Sequence, residues 1–302
     1  MSEALPQTRP RGSLTTGVLW MVACLMSFIG MALASRELAQ SMSIMQVLLL
    51  RSVVGIVIML VVARRVLPEL RRATDLRLHF LRNVVHFSAQ YCWTLGVVLL
   101  PLAYVFALEF TMPIWVALFA ALALKERISR VRLQAMLVSF VGVLIVLRPG
   151  AGLDPAALLV LTAAAGYGAS AVIVKRLTTT CSPAVIVMWM VLMQCPMAAV
   201  MLFLTGEWAA LSWGDFPWMV ILGGATLSAH YTMARALQLM DASLAIPIDF
   251  LRVPLIAVIG WLFYGEAISA AVVVGAALIA AANFWAIQSE SAGRRARLEG
   301  SS

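Results

Sequence analysis

Two oppositely charged side chains, Asp249 and Arg252, lie inside an apolar run that is long enough to cross a lipid bilayer. The run extends from Ser243 to Tyr264 and contains the sequence IPIDFLRVP at 246–254. A charged side chain at mid-bilayer costs about 2.5–3.5 kcal/mol, so such residues normally face a partner or an internal cavity. Asp249 and Arg252 share one helix face and are able to neutralise each other. They form either a structural ion pair that locks the eighth and ninth of the predicted membrane spans together or part of a substrate cavity.

Two further arginines, Arg51 and Arg235, lie in other apolar segments. The planar guanidinium group binds carboxylates and phosphates through paired hydrogen bonds, so Arg235 or Arg252 is a candidate ligand for such a group on a substrate. Arg51 has no acidic neighbour in its own segment. We expect it to pair across helices with Glu109 or to contact the substrate.

Glu109 is the candidate proton site. No basic residue lies within four positions of it, and a carboxyl group removed from water binds its proton more readily. The alternative is a permanently protonated acid that is hydrogen-bonded between helices. His230 is a second candidate, because histidine changes charge near neutral pH; the alternative for it is an interhelical hydrogen bond.

Aromatic and amide side chains in the same segments could line a substrate site. Tyr91 and Tyr231 occupy matched places in two similar stretches, and Gln90 and Trp93 lie close to the first of them. The aromatic rings either stack on a flat substrate or fill helix interfaces. There is no nucleophile motif and no histidine cluster with metal-ligand spacing, so we predict neither an enzyme nor a metal or cofactor site.

Composition places the chain among membrane proteins. Hydrophobic residues make up 63% and charged residues 12%, whereas soluble domains carry about a quarter charged residues. The formal charge of +8 does not indicate nucleic-acid binding, because the basic residues lie in short loops between apolar runs. Such loops are typical of the cytoplasmic side of membrane proteins.

Ten segments have about the 20 apolar residues that a membrane-crossing helix requires. They are 16–34, 43–63, 83–100, 102–124, 132–147, 155–174, 184–204, 216–237, 243–264 and 268–287. With a cytoplasmic N-terminus, 17 of the 22 basic residues fall in inside segments, two in outside loops and three within spans. The positive-inside rule therefore places both termini in the cytoplasm. The predicted fold is an all-α membrane protein with ten transmembrane helices.

The chain also repeats itself at an offset of 140 residues. SAQY at 88–91 recurs as SAHY at 228–231, ERIS at 126–129 recurs as EAIS at 266–269, and Glu109-Phe110 recurs as Asp249-Phe250. Because five helices per repeat is an odd number, consecutive repeats enter the membrane from opposite sides. This predicts two inverted five-helix repeats, which are typical of secondary transporters, although a duplication can also build a simple scaffold. The predicted boundaries are a cytoplasmic tail (1–15), a first repeat (16–150), a second repeat (151–288) and a cytoplasmic tail (289–302).

The sequence resembles the drug/metabolite transporter superfamily, in the form that has two EamA domains. The resemblance rests on residues 91–150 and 231–284, with the landmarks Pro101-Leu102-Ala103, Pro113, Lys125-Glu126-Arg127 and Arg148-Pro149-Gly150. It implies a ten-helix carrier of the bacterial inner membrane that is driven by a gradient. Relatives are described as moving amino acids, vitamins, nucleotide-like metabolites, opine-type metal chelators and drugs, and either import or export is known.

Two transport hypotheses follow. The first is proton-linked export of a small anionic or zwitterionic metabolite, such as an amino-acid derivative or an opine-type metallophore, because three intramembrane arginines and two histidines outnumber Glu109 and Asp249. The second is uptake of a vitamin or nucleotide-like metabolite, of the riboflavin or S-adenosylmethionine type, stacked on Tyr91, Tyr231 and Trp93. A membrane-embedded enzyme and a non-transporting subunit are the remaining alternatives.

Both transport hypotheses share the same expected partners and the same expected cavity. The partners are a small-molecule substrate, a proton or another coupling ion, and the lipid bilayer; a homodimer is also compatible with the sequence. We further expect the two halves to enclose a water-filled chamber into which the ionisable side chains point.

Overall fold

Helices make up almost all of the described structure. The computed structural model describes residues 11–70, 75–125, 128–148, 154–239, 245 and 248–299, and these contain no strand. The helices are α1 (Arg11–Leu38), α2 (Ile44–Leu70), α3 (Leu76–Leu99), α4 (Leu102–Glu109), α5 (Met112–Leu124), α6 (Arg130–Leu147), α7 (Pro155–Leu177), α8 (Pro183–Thr205), α9 (Asp215–Leu239), α10 (Arg252–Tyr264) and α11 (Ala270–Glu299). The first ten residues of the N-terminal tail, the turn at Glu126-Arg127 and the boundary between the repeats at 150/151 lie outside the described residues.

The outer surface of the helices is apolar. Val61, Phe203 and Phe263 are 84%, 77% and 76% exposed, which is the opposite of their usual burial in soluble proteins. Within the described part of the chain, seven helical segments are long and apolar enough to cross a membrane. The chain is therefore a multi-pass membrane protein. Helices α3, α9 and α10 occupy the third, eighth and ninth predicted spans, but their described residues do not meet the same criterion of length and apolar composition. The count of ten spans therefore stays a prediction.

The fourth predicted span, 102–124, is broken in its middle. Helix α4 ends at Glu109, and α5 begins at Met112 with Pro113 in its first turn. Proline has no N–H group to continue the hydrogen-bond ladder and it clashes with the preceding turn, so it favours the start of a new helix. The break leaves Glu109 at a helix end inside the protein, where its carboxylate is able to reach other helices.

A side chain of α11 satisfies one of the carbonyl groups that the break releases. Asn283 Nδ2 donates a hydrogen bond of 3.2 Å to the Phe110 carbonyl oxygen, and Asn283 is buried. Broken helices are tolerated within membranes only where neighbouring groups satisfy the freed backbone in this way. Asn283 therefore fixes the position of the α4–α5 break.

Replacing Asn283 with leucine is expected to lower the free energy of unfolding by about 1–3 kcal/mol, because the Phe110 carbonyl group would remain buried without a donor. Thermal unfolding of the purified protein in detergent would measure the change. Gln288→Leu is the matched control, since Gln288 is exposed on the same helix. Equal unfolding temperatures for the two variants would contradict this role of Asn283.

The helix boundaries repeat at the offset found in the sequence. Helix α5 extends from Met112 to Leu124 and α10 from Arg252 to Tyr264, so both ends are shifted by 140 residues. Each of the two helices ends in a left-handed residue, Lys125 with φ 55° and Gly265 with φ 63°. The internal repeat in the sequence thus corresponds to a repeat of helices.

The packing of the helices has the same symmetry. Helix α1 packs along α9, and its counterpart α7 packs along α3. Two further pairs each join a helix to its own counterpart: α2 with α8, and α6 with α11. Exchanging the two halves leaves this set of pairs unchanged, as a pseudo-two-fold axis requires. Their opposite orientation in a membrane stays a prediction.

Polar contacts at the helix ends separate into two groups. At one end of the bundle, Arg36 pairs with Glu266, which joins the end of α1 to the end of α10. At the opposite end, the Glu69 carboxylate accepts hydrogen bonds from the Ser182 hydroxyl and N–H groups, and these bonds lower the pKa of Glu69. Loops that the sequence assigns to opposite sides are thus separated in space.

Candidate functional site

The charged residues that interrupt the fourth and ninth predicted spans meet in one cluster. The Arg252 guanidinium lies 2.8 Å from Asp249 Oδ2 and 3.4 Å from Glu109 Oε1. Trp93 Nε1 donates a hydrogen bond of 2.7 Å to the other Glu109 oxygen. We call Glu109, Asp249 and Arg252 the acidic cluster, because two carboxylates share one cation. The expected contact between Asp249 and Arg252 is confirmed.

Aromatic rings enclose the Arg252 side chain. Its guanidinium carbon lies 4.2 Å from the ring centre of Phe28, 4.9 Å from that of Phe110 and 5.2 Å from that of Phe106, and Arg252 is only 4% exposed. Rings at this distance stabilise a cation through their negative faces. Two carboxylates and three rings therefore occupy the surroundings of Arg252, which argues against its predicted role as a ligand for a substrate carboxylate.

Helix packing gives these residues partners that the sequence did not identify. Glu109 has no basic neighbour in the sequence, yet Arg252 contacts it, because α4 and α10 pack together. Arg51 was expected to pair across helices, with Glu109 as the candidate partner, or to contact the substrate; it does bond across helices, but its guanidinium donates to Gln194 Oε1 at 2.6 Å. The ion pair of Asp249 and Arg252 was expected to join the eighth and ninth predicted spans, but through Glu109 it joins the fourth and ninth instead.

A second polar cluster, which we call the arginine network, joins α2, α3 and α8. Gln194 receives the Arg51 hydrogen bond and donates through Nε2 to Asn83 Oδ1 at 3.3 Å; the same Nε2 lies 3.0 Å from His86 Nδ1. Arg82 Nη1 donates to the same Asn83 oxygen at 3.1 Å. All five side chains are buried. The network contains two guanidinium groups and no carboxylate.

Tyr167 lies between the two clusters. Its hydroxyl donates a hydrogen bond of 3.0 Å to Gln90 Oε1, and its ring centre lies 5.3 Å from that of His86. Glu109 and Arg51 both act electrostatically on the Tyr167 hydroxyl. Polar and aromatic side chains thus form a continuous line from the acidic cluster to the arginine network.

Two features of the helices place these polar and aromatic side chains next to one another. Helix α3 presents His79, Arg82, Asn83, His86, Gln90 and Trp93 as buried residues, at spacings of three or four that place them on one helix face. Gly166 and Gly168 flank Tyr167, and a Cβ atom added to either would come within 2.7 Å of Ala89 or Trp115. These glycines allow α7 to approach α3 and α5 closely enough for Tyr167 to reach Gln90.

The remaining predicted site residues lie elsewhere. Tyr91 lines a cavity between α2, α3 and α8 whose walls include none of the side chains of the line. Tyr231 is 59% exposed and packs edge-on against Trp20, and Arg235 lies over the same Trp20 ring at 5.9 Å. These residues do not join Trp93 and Gln90, so stacking of a substrate on both tyrosines receives no support from the geometry. Their role in substrate binding stays a prediction.

His230 is exposed, unlike the members of the arginine network, yet Arg82 and Arg51 act electrostatically on its imidazole. It therefore lies near the network. The two charged clusters themselves are largely buried, and the walls of a cavity of about 1480 Å³ between α2, α3 and α8 contain none of their members. We call this buried state of the clusters the closed arrangement; the expected water-filled chamber around the charges stays a prediction.

Sequence reasoning missed Arg82, Asn83 and Tyr167. The predicted third span began at residue 83, so Arg82 was counted with the cytoplasmic loop, whereas α3 begins at Leu76. The three-and-four spacing of polar residues from His79 to Gln90 was the signal that could have extended the helix. Tyr167 had no comparable signal, because its contacts depend on the packing of α7 against α3.

Comparison with known proteins identifies the family. The sequence pattern of the EamA-like transporter family matches residues 15–148 and again residues 154–288. The chain belongs to this family. The two matches each cover about half of this EamA-like transporter, and membership of a transporter family favours a transporter over an enzyme.

Relatives of this EamA-like transporter include three bacterial proteins named riboflavin transporter. One from Rhizobium johnstonii is 29% identical over 70% of this chain and 70% of its own length. One from Brucella anthropi is 27% identical over 73% of this chain and 79% of its own, and one from Vibrio cholerae is 27% identical over 57% and 58%.

A solved protein structure has the same fold. It is 18% identical in sequence with a TM-score of 0.63, and the match covers 93% of this chain and 98% of that one. The arrangement of helices described above is therefore a previously observed fold. At this level of identity, the likeness extends to the fold alone.

Proposed function

We propose that this EamA-like transporter carries a flat heterocycle of the riboflavin type across the bacterial inner membrane. The observation that carries the proposal is the line of Trp93, Gln90, Tyr167 and His86 between the two charged clusters. A flavin has a flat ring system, hydrogen-bonding atoms along one ring edge and a hydroxylated chain. Aromatic side chains suit the ring faces, and the amide groups suit the edge and the chain.

The relatives favour the second sequence hypothesis over the first. All three are named for riboflavin, and the Arg252 side chain, expected to bind an anionic metabolite, is enclosed by its own carboxylates and rings. Export of an amino-acid derivative or an opine-type metallophore therefore moves to second place. The proposal includes uptake as the direction, ten spans in two inverted repeats and cytoplasmic termini, as the basic residues indicate.

Coupling to protons follows from the charge balance of the acidic cluster. Glu109 and Asp249 face one guanidinium group, which leaves one negative charge uncompensated if both carboxyl groups are ionised. Buried charges without a partner are unstable, so one carboxyl group is expected to hold a proton in the closed arrangement. Release of that proton would weaken the contact between α4 and α10 and would favour opening of the transporter.

Flux of riboflavin into proteoliposomes tests the proposal. Purified protein should take up labelled riboflavin faster than empty liposomes do, and Gln90→Leu should lower the initial rate about tenfold or more, because the edge of the ring would lose its amide partner. Tyr167→Phe should have a smaller effect in the same direction. Tyr104→Phe is the matched control, since Tyr104 packs against the main core outside this line.

A competition panel separates the two transport hypotheses. Unlabelled flavins should block uptake of labelled riboflavin, whereas amino-acid derivatives and opine-type chelators should not. Absence of riboflavin flux from the wild-type protein, together with flux of an amino-acid derivative, would overturn the proposal in favour of the first hypothesis.

A further inference from the structure

Among the described residues, Arg36, Arg51, Arg82 and Arg252 are buried or nearly buried, and they fall into two kinds. Arg36 pairs with Glu266, and Arg252 pairs with Asp249 and Glu109. Among the described residues, no carboxylate lies within ion-pair distance of Arg51 or Arg82, although these side chains are only 3% and 5% exposed. Arginine keeps its charge under all ordinary conditions, so this region holds two uncompensated cations.

Both of these arginines also have unused hydrogen-bond donors. Arg51 donates through Nη2 to Gln194, and Arg82 donates through Nη1 to Asn83. Arg51 Nη1 and Arg82 Nε are buried and have no partner. A buried donor without an acceptor costs about 1–3 kcal/mol, and more if the group is charged. A network that served only to stabilise the fold would be expected to contain an acid, as the acidic cluster does.

Two amide side chains link the guanidinium groups of Arg51 and Arg82 to each other. Gln194 and Asn83 lie between them and are hydrogen-bonded to each other, so the positions of both cations depend on one another. Gln90 Nε2 is a further buried donor without a partner, on the Tyr167 side of the network. Unused donors thus lie on the line along which the proposed substrate binds.

We propose that Arg51 and Arg82 form an oxyanion subsite that binds a phosphate or carboxylate group of the transported solute. This inference rests on the proposed function and narrows it: the heterocycle is carried preferentially in a form that bears an anionic group. The oxyanion supplies the acceptors that Arg51 Nη1 and Arg82 Nε lack, and it compensates charges that no described carboxylate balances. Guanidinium groups suit this task because their planar donors match the oxygens of both kinds of group.

Binding of two flavins that differ by one phosphate group tests the inference. Quenching of flavin fluorescence by the purified protein should give a dissociation constant for riboflavin 5′-phosphate about tenfold or more below that for riboflavin. Arg51→Gln and Arg82→Gln should bring the ratio of the two constants close to one. Arg51→Lys keeps the charge without the planar donors, so it should retain part of the preference for riboflavin 5′-phosphate. A retained preference in this variant would show that the loss in Arg51→Gln is not a folding defect. Arg77→Gln is the control, because Arg77 is exposed on α3, and it should leave the ratio unchanged.

A second measurement detects the subsite without a flavin. Inorganic phosphate should raise the unfolding temperature of the wild-type protein relative to chloride at equal ionic strength, and the rise should be absent from Arg51→Gln and Arg82→Gln. Acetate in a parallel series distinguishes carboxylate from phosphate recognition. Stabilisation by either anion without flavin binding would keep the subsite and overturn the proposed substrate. Equal binding of the two flavins, without anion stabilisation, would overturn the subsite and keep the proposed function.

Discussion

Replacing Arg252 with methionine is expected to lower the free energy of unfolding by about 3–5 kcal/mol, since removing one partner of a buried ion pair leaves the other charge uncompensated. The loss should be at the upper end of this range, because two carboxylates, Glu109 and Asp249, depend on the same guanidinium. The three rings around it would also lose their cation. Thermal unfolding of the purified protein in detergent, with recovery of folded protein as a second readout, would measure the effect.

Neutralising the two carboxyl groups that Arg252→Met leaves without a cation should restore part of the lost stability. In the triple variant Arg252→Met, Asp249→Asn, Glu109→Gln, no ionisable group of the cluster remains, so the unfolding temperature should rise above that of Arg252→Met alone. Arg130→Met serves as the control, because Arg130 is exposed at the start of α6. An Arg252→Met protein as stable as the control would show that the acidic cluster contributes little to the fold.

Structural features that depend on residues close together in the sequence were predictable from the sequence alone. The contact between Asp249 and Arg252 follows from their separation of three residues, and the break before Pro113 follows from the missing N–H group of proline. The offset of 140 residues predicted the matched boundaries of α5 and α10. Each of these depends on local backbone geometry or on the alignment of the chain with itself.

Features that depend on helix packing were not predictable. Glu109 meets Arg252 because α4 crosses α10, and no count of basic residues near Glu109 along the chain contains that information. Arg51 meets Gln194 for the same reason, through the packing of α2 on α8. A membrane helix can satisfy a polar group on any neighbour, so the sequence indicates that a partner exists without identifying it.

The matched residues of the two repeats have acquired different partners. Phe110 and Phe250 are equivalent by the offset and lie with their ring centres 4.4 Å apart, so the two repeats meet at their helix breaks. Glu109 and Asp249 are also equivalent, yet Trp93 donates to Glu109, whereas Asp249 Oδ1 is buried without a partner. Glu109 thus lies between a cation and a hydrogen-bond donor, whereas one oxygen of Asp249 has no partner among the described residues.

Replacing Glu109 with glutamine is expected to uncouple transport from the proton gradient. The substitution removes the surplus carboxylate and leaves Asp249 and Arg252 as a balanced pair, and its side-chain oxygen remains able to accept from Trp93. Gradient-driven accumulation of riboflavin in proteoliposomes should therefore fall about tenfold or more. Exchange of labelled for unlabelled riboflavin at equal pH on both sides needs no net proton movement and should persist.

The comparison of accumulation with exchange separates coupling from binding. Glu207→Gln is the control, because Glu207 is exposed in the loop after α8, and it should leave both activities unchanged. Loss of accumulation and exchange together in Glu109→Gln would instead assign Glu109 to substrate binding or to the fold. Accumulation that remains undiminished and independent of pH would remove Glu109 from the coupling mechanism.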